Sequence, residues 1–194
     1  MGLAQQGKNN MKMILASGSP RRQSLLNSFG FEITVQKPEF DESKVLQTEP
    51  CKLVTELAEG KMDSIDSKGE LCLSADTVVS LDGKILGKPL DEADAFKMLR
   101  SLSGNTHSVY TGVCITYKSR KVVFYEKSDV TFHKLSDKQI NAYIETKSPM
   151  DKAGAYGVQD DMAIAFVKCV DGELSNVIGL PMGRVINEIE RIIK

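Results

Sequence analysis

The chain has 194 residues, of which 41% are hydrophobic and 26% charged, enough for one sizeable core in an ordinary globular protein. With 25 basic and 26 acidic residues the net charge is −1, which argues against a protein that coats nucleic acid or anionic membrane. Any anion it takes must therefore meet a local pocket.

The first ten residues are polar and read as a loose tail, so residues 11–194 form the expected single domain. Lys12–Ala16 reads as a short buried strand. Pro20 suits the first turn of a helix whose apolar face is Leu25, Leu26 and Phe29, and Gly30 stops it. Phe31–Val35 is a second strand, followed by the acidic loop "PEFDESKVLQT". Pro50 opens a helix to about Asp66, with Leu53, Val54, Leu57 and Ala58 on one face. Leu71–Leu81 and Lys84–Leu86 form a hairpin about Asp82-Gly83.

Further along, Asp91–Leu102 is a helix with the stripe Ala95, Met98, Leu99 and Leu102. Ser108–Tyr117 and Lys121–His133 are β-rich runs joined by "KSR". Ser136 caps a helix over Asp137–Thr146. Ser148–Asp161 is a glycine-bearing loop, and Met162–Val170 and Glu173–Val177 flank a second Asp-Gly turn. Pro181 begins the terminal helix, with Val185, Ile186, Ile189 and Ile193 inward. Crossover helices mixed with hairpins give an α/β class with a mixed sheet.

The four cysteines, Cys51, Cys72, Cys114 and Cys169, lack C-x-x-C spacing and sit in or beside apolar segments, so buried free thiols are expected. Two histidines and no H-E-x-x-H argue against a histidine-based zinc site. No apolar run approaches the roughly 20 residues of a bilayer span, and no signal-peptide core opens the chain. A reducing cytoplasm is the expected location.

Three junctions carry the chemistry. In "ILASGSPRRQSLL" a strand runs into a helix N-terminus, whose free N–H groups and positive dipole end suit an anion. Ser17 and Ser19 add hydroxyls, Gly18 permits close approach, and Arg21 and Arg22 bring charge and bidentate geometry. The plainer alternative is that Ser19 only caps the helix and the arginines lie solvated on it. Neither a Walker loop nor G-x-G-x-x-G occurs.

At the second junction Asp76 interrupts an apolar strand, which is costly unless it meets a cation, a metal or hydrogen-bond donors. Lys88 follows the hairpin at "GKP", Asp41 and Glu42 lie in the acidic loop, and Lys61 ends "LAEGK". Each alone reads as a solvated surface charge. Together they favour a metal-bound phosphate site. The third junction, "SPMDKAGAYGVQDD", sets Asp151, Lys152 and Gln159 on Gly154 and Gly157, and a glutamine amide can both donate to and accept from a nucleobase edge.

Taken in order, "LASGSPRRQSLL", "FDES", "LAEGK", "SADTVV", "GKPL", "LSGNTHSVYTGV", "DKAGAYGVQ" and "VIGLPM" resemble the Maf family of nucleotide pyrophosphatases, from about Met13 to the terminal helix. The resemblance implies an elongated α/β fold in which two lobes flank a central cleft, similar to inosine triphosphate pyrophosphatases. It implies a house-cleaning hydrolase that cuts a nucleoside triphosphate to its monophosphate and pyrophosphate with a divalent cation, Mg²⁺ or Mn²⁺. By that likeness Asp76 takes the place of the proton acceptor, and Arg21, Thr77 and Gln159 the places of substrate selection. Ser17, Arg22, Glu42, Lys61, Lys88 and Lys152 match the polar positions of the cleft.

Arg21, Ala75-Asp76-Thr77 and "AYGVQ" are similar to the subfamily acting on dTTP and UTP. The sister subfamily's Trp, "SDQ" and "SFKSEG" are absent. Met62, where alanine is common, is a departure that bears on packing. On this reading Glu42 and Asp76 hold the metal, Arg22, Lys61 and Lys88 the phosphates, and Asp76 directs the water. The small-molecule nucleotide is the expected partner, with no nucleic acid or membrane, and family analogy implies a homodimer. The alternative from another class is a nucleotide-binding regulator of septum formation and cell division.

Overall fold

A computed structural model describes residues 11–194, so the expected tail over 1–10 lies outside the described residues. In chain order the elements are β1 (Met11–Ala16), α1 (Pro20–Ser28), β2 (Phe31–Val35), α2 (Pro50–Asp63), β3 (Cys72–Leu81), β4 (Lys84–Leu86) and α3 (Glu92–Leu102). There follow β5 (Thr106–Tyr117), β6 (Arg120–Phe132), α4 (Asp137–Glu145), β7 (Val167–Asp171), α5 (Leu174–Ile178) and α6 (Met182–Ile192).

The strands form one mixed sheet in the order β2-β1-β3-β5-β6-β7, with β4 also beside β3. The crossover α1 makes β1 and β2 parallel, and β1 is parallel to β3, while β3, β5, β6 and β7 pair antiparallel in succession. Asp82 and Gly83 both adopt positive φ (49° and 77°), the conformation a two-residue hairpin turn requires between β3 and β4.

Alternation along β3 assigns its two faces. Cys72 packs with Ala58 and Met62 of α2, and Ser74 Oγ donates to the Ala58 carbonyl at 2.6 Å. On the other face Leu73 and Ala75 join Leu26 of α1 and Val185 and Ile189 of α6. Further along, Val79 enters a separate core with Leu99 of α3, Phe132 of β6, and Ile140 and Tyr143 of α4. The long strands β3, β5 and β6 thus carry one core at each end, the expected pair of lobes, with Asp76 and Thr77 between them.

Several expectations are corrected. The Asp171-Gly172 turn exists, but α5 follows it instead of a second strand: Asn176, fully buried, donates its side-chain amide to the Val109 carbonyl and to Ser128 Oγ, a pairing that the helix provides. Residues 163–166 form a 3₁₀ turn, and the strand begins only at Val167. The α2 helix stops at Asp63. Phe29 and Ile193 are the last apolar residues of their stripes; both lie just past a helix end and are exposed. All four cysteines are free, but only Cys72 and Cys114 are buried; Cys51 is half-buried and Cys169 is exposed on β7, where the sheet ends.

Candidate active site

Both β1 and β4 lie along the same edge of β3. Register with β1 ends at Ser74 and register with β4 begins at Val79, so along that edge Ala75–Val78 has no strand beside it. At this opening both faces of the sheet reach one cleft of about 780 Å³. Ten of the residues singled out from the sequence line it: Ser17, Arg21, Arg22, Glu42, Lys61, Asp76, Thr77, Lys88, Lys152 and Gln159.

The α1 wall is built on Arg22. Its Nε donates to the Gly179 carbonyl at 2.9 Å, one terminal nitrogen donates to the Ala75 carbonyl (2.8 Å) and Ser17 Oγ (3.0 Å), and the other to Thr77 Oγ1 (3.0 Å). Burial pulls the guanidinium below its usual range, while the nearby Asp76 pulls it back up. A buried arginine held by four acceptors is a fixed positive wall, not a solvated surface group. Ser19 is the N-cap residue of α1, yet its hydroxyl makes no capping bond. The plainer alternative therefore fails at both points.

On the α2 wall, Lys61 Nζ lies 2.5 Å from Asp76 Oδ1 and 3.0 Å from Glu42 Oε1. Its side chain is only 10% exposed, and Asp76 is nearly as enclosed at 14%. Asp76 Oδ2 accepts no hydrogen bond among the described residues. Two glycines set this wall. A Cβ on Gly112, opposite Asp76 in β5, would stand 2.1 Å from the Val54 carbonyl, so glycine lets α2 lie against the sheet. A Cβ on Gly60 would stand 2.2 Å from the ring of Phe40, which seats the acidic loop on α2 beside Lys61. Asp41 does not line the cleft; it caps the 3₁₀ turn at Glu42–Lys44 through the Ser43 amide.

The third wall is the 148–160 loop. Gly154 N donates to the Gly87 carbonyl at 3.0 Å, which ties this loop to the turn carrying the exposed Lys88. Lys152 is buried, and its ammonium meets the Ser148 carbonyl at 2.5 Å and Asp151 Oδ1 at 2.7 Å. Asp151 also meets Arg21 across the cleft at 3.3 Å. Desolvation raises the Asp151 carboxyl, but Lys152 and Arg21 outweigh it and leave the group below its ordinary range. The Gln159 side chain is exposed and makes no hydrogen bond among the described residues.

Thr77, at a place of substrate selection by the family likeness, faces the arginine wall. Its hydroxyl is already engaged with Arg22, with Thr111 Oγ1 at 2.9 Å and weakly with the Gly179 carbonyl. It supports the arginine wall. Sequence reasoning missed Lys37, which follows β2 and lines the cleft, and Tyr156, whose hydroxyl meets buried His107 at 2.7 Å. Lys37 had a signal, since it directly precedes the acidic loop; the His107–Tyr156 contact spans 49 positions and had none.

No group of three or more histidine, cysteine or acidic residues arranged to hold a metal occurs among the described residues. The oxygen donors present, Glu42 and Asp76, fit a hard cation that shares its coordination with phosphate and water, as Mg²⁺ does. With Arg21, Arg22, Lys37, Lys61, Lys88 and Lys152 against Glu42, Asp76 and Asp151, the cleft is positive in a chain of net charge −1.

Fold and cleft together define an α/β protein organised around a positively charged opening with one enclosed carboxylate at its centre. The chain belongs to the Maf family: the family described as Maf-like protein matches residues 12–192. A protein of Bacillus cereus named dTTP/UTP pyrophosphatase is 43% identical over 96% of this chain and 92% of its own length. One of the same name from Bacillus cytotoxicus is 44% identical over 93% of this chain and 95% of its own. A solved HAM1 protein from Coxiella burnetii aligns over 94% of this chain and 98% of its own, at 13% identity and a TM-score of 0.47.

Proposed function

We propose that this protein is a nucleoside triphosphate pyrophosphatase that hydrolyses dTTP and UTP, or modified analogues of them, to the monophosphate and pyrophosphate with a divalent cation. The observation that carries the reading is Asp76, enclosed at the opening of β3 with one carboxylate oxygen taken by Lys61 and the other unengaged, amid the cations of the cleft. The names of the relatives point the same way.

Cleavage at the α-phosphorus needs a water directed at phosphorus and a sink for the charge that grows on the phosphate oxygens. Asp76 Oδ2 accepts the water's proton, while Lys61 fixes the carboxylate through Oδ1. Arg22 stays put on its four acceptors and offers its charge without rearrangement. Lys61 spans Glu42 and Asp76 at the edge of the cleft, where its ammonium would add positive charge beside a bound phosphate. A divalent cation held by Glu42 and Asp76 supplies neutralising charge to the phosphate chain. Gln159 lines the cleft with its amide unengaged, and that amide can both donate to and accept from the carbonyls and N–H of a thymine or uracil edge.

We place the protein in the cytoplasm: its four thiols are free, as in a reducing compartment, and no helix of the described residues is long and apolar enough to cross a membrane. The test is product analysis with a panel of unmodified and modified nucleoside triphosphates, with and without Mg²⁺ or Mn²⁺. Metal-dependent release of pyrophosphate, strongest with dTTP and UTP, supports the reading. Release of orthophosphate, or no turnover, overturns it.

A further inference from the structure

Lys152 has more acceptors around it than hydrogens to give. An ammonium carries three donors, and four acceptor groups surround this one: the Ser148 carbonyl (2.5 Å), Asp151 Oδ1 (2.7 Å), Ser148 Oγ (3.1 Å) and Asp160 Oδ2 (3.5 Å). The two carboxylates differ in kind. Asp151 is 65% exposed and shared with Arg21, whereas Asp160 is only 18% exposed.

Asp160 is held from several sides. Tyr143 Oη donates to its Oδ2 at 2.5 Å and Ser148 Oγ donates to the same oxygen at 2.7 Å. Tyr143 Oη in turn accepts from the Gly157 amide at 3.1 Å, and the Asp160 amide donates to the Gly157 carbonyl at 2.9 Å, closing the turn on which Gln159 sits. A Cβ on Gly157 would stand 2.7 Å from the Lys152 chain and 3.0 Å from Asp160 Oδ1, so lysine and carboxylate are packed against the same turn.

We propose that Asp160 is a positioning residue: it is the fixed counter-ion that aims Lys152 at phosphate and ties that cation to the turn bearing Gln159, while Asp151 is the partner Lys152 releases when phosphate arrives. This rests on the reading of Lys152 as a phosphate-binding cation. It assigns the second carboxylate of "QDD", read along the sequence from Gln159, to neither role: Asp161 is exposed and takes no part in the network.

The test is calorimetric titration with inorganic tripolyphosphate in metal-free buffer, which reads phosphate binding without requiring hydrolysis. Asp160→Asn keeps acceptor shape but loses charge, and should weaken binding about tenfold, the scale of one charge-assisted contact. On a Lys152→Met background the same change should cost less than about twofold, because the groups act through one another. Unchanged binding in the parent, or an equal loss in both backgrounds, overturns the proposal. Thermal midpoints check that each variant is folded. Should Asp160→Asn fail to fold, Tyr143→Phe removes one donor to Asp160 without touching a Lys152 contact and carries the test: weaker binding supports the proposal and unchanged binding overturns it. A parent that binds tripolyphosphate yet hydrolyses no nucleotide defeats the enzymatic reading and leaves this one standing.

Discussion

Asp76 and Gln159 divide the work between chemistry and choice, and their substitutions should separate. Asp76→Asn keeps the side chain's size and its place by Lys61 while removing the proton acceptor. Turnover of dTTP should fall by about 10²–10⁴, with an unchanged melting curve. Gln159→Ala touches no internal hydrogen bond among the described residues, so stability should hold and discrimination between pyrimidine and purine triphosphates should shrink more than the rate. Comparing kcat/KM across the two base classes reads this directly. Ser17, Arg21 and Arg22 were legible because a strand runs into a helix there, and Asp76 because a carboxylate interrupts an apolar strand, whereas Thr77 entered only through the family likeness. Asp160 was not legible. A carboxylate beside another carboxylate reads as solvated surface, and its partners Tyr143 and Ser148 lie 17 and 12 positions away.

At the scale of elements, the seat of α2 on the sheet decides whether Lys61 reaches Asp76. Gly112→Ala puts a methyl into the Val54 backbone, where no side chain can yield, so the helix must lift. A loss of about 1–3 kcal/mol in denaturant unfolding is expected, with turnover falling further than the folded fraction does. Equal turnover per folded molecule would show that α2 does not set the site. Such helix-on-strand contacts also explain where sequence reading ran short. Local patterns found α2 and β5, but nothing in either announces that the two backbones touch. The Asp171-Gly172 turn misled for a related reason: a turn signal beside a short apolar run suits strand or helix alike, and only the burial of Asn176 against β5 and β6 decides for α5.

For the whole molecule, the core that α3 and α4 cover contains an ionisable group that resists protonation. His107 is 2% exposed and pushed down to about 4 by burial, with Asp129 opposing, and its Nδ1 has no hydrogen-bond partner among the described residues. The unfolded chain takes up this proton near 6.5, the folded chain only near 4. The stability this confers is therefore present above about pH 6.5 and drains as pH falls toward 4, by about 3 kcal/mol at most. Denaturant melts at pH 7 and pH 4.5 should show the loss, and His107→Gln should flatten its slope. Because His107 holds Tyr156, a wall of the cleft, acid should loosen that lobe ahead of the α1–α6 core.

The opening in the edge of β3 has one more consequence. Strand alternation turns the amide of Thr77 toward the opening and those of Asp76 and Val78 toward β5. A central strand is ordinarily among the last places where deuterium enters a protein. Here the Thr77 amide should exchange ahead of its two neighbours without any unfolding, and a nucleotide seated in the cleft should slow that single site. The middle of the sheet thus serves as a built-in occupancy gauge, readable in solution without a label.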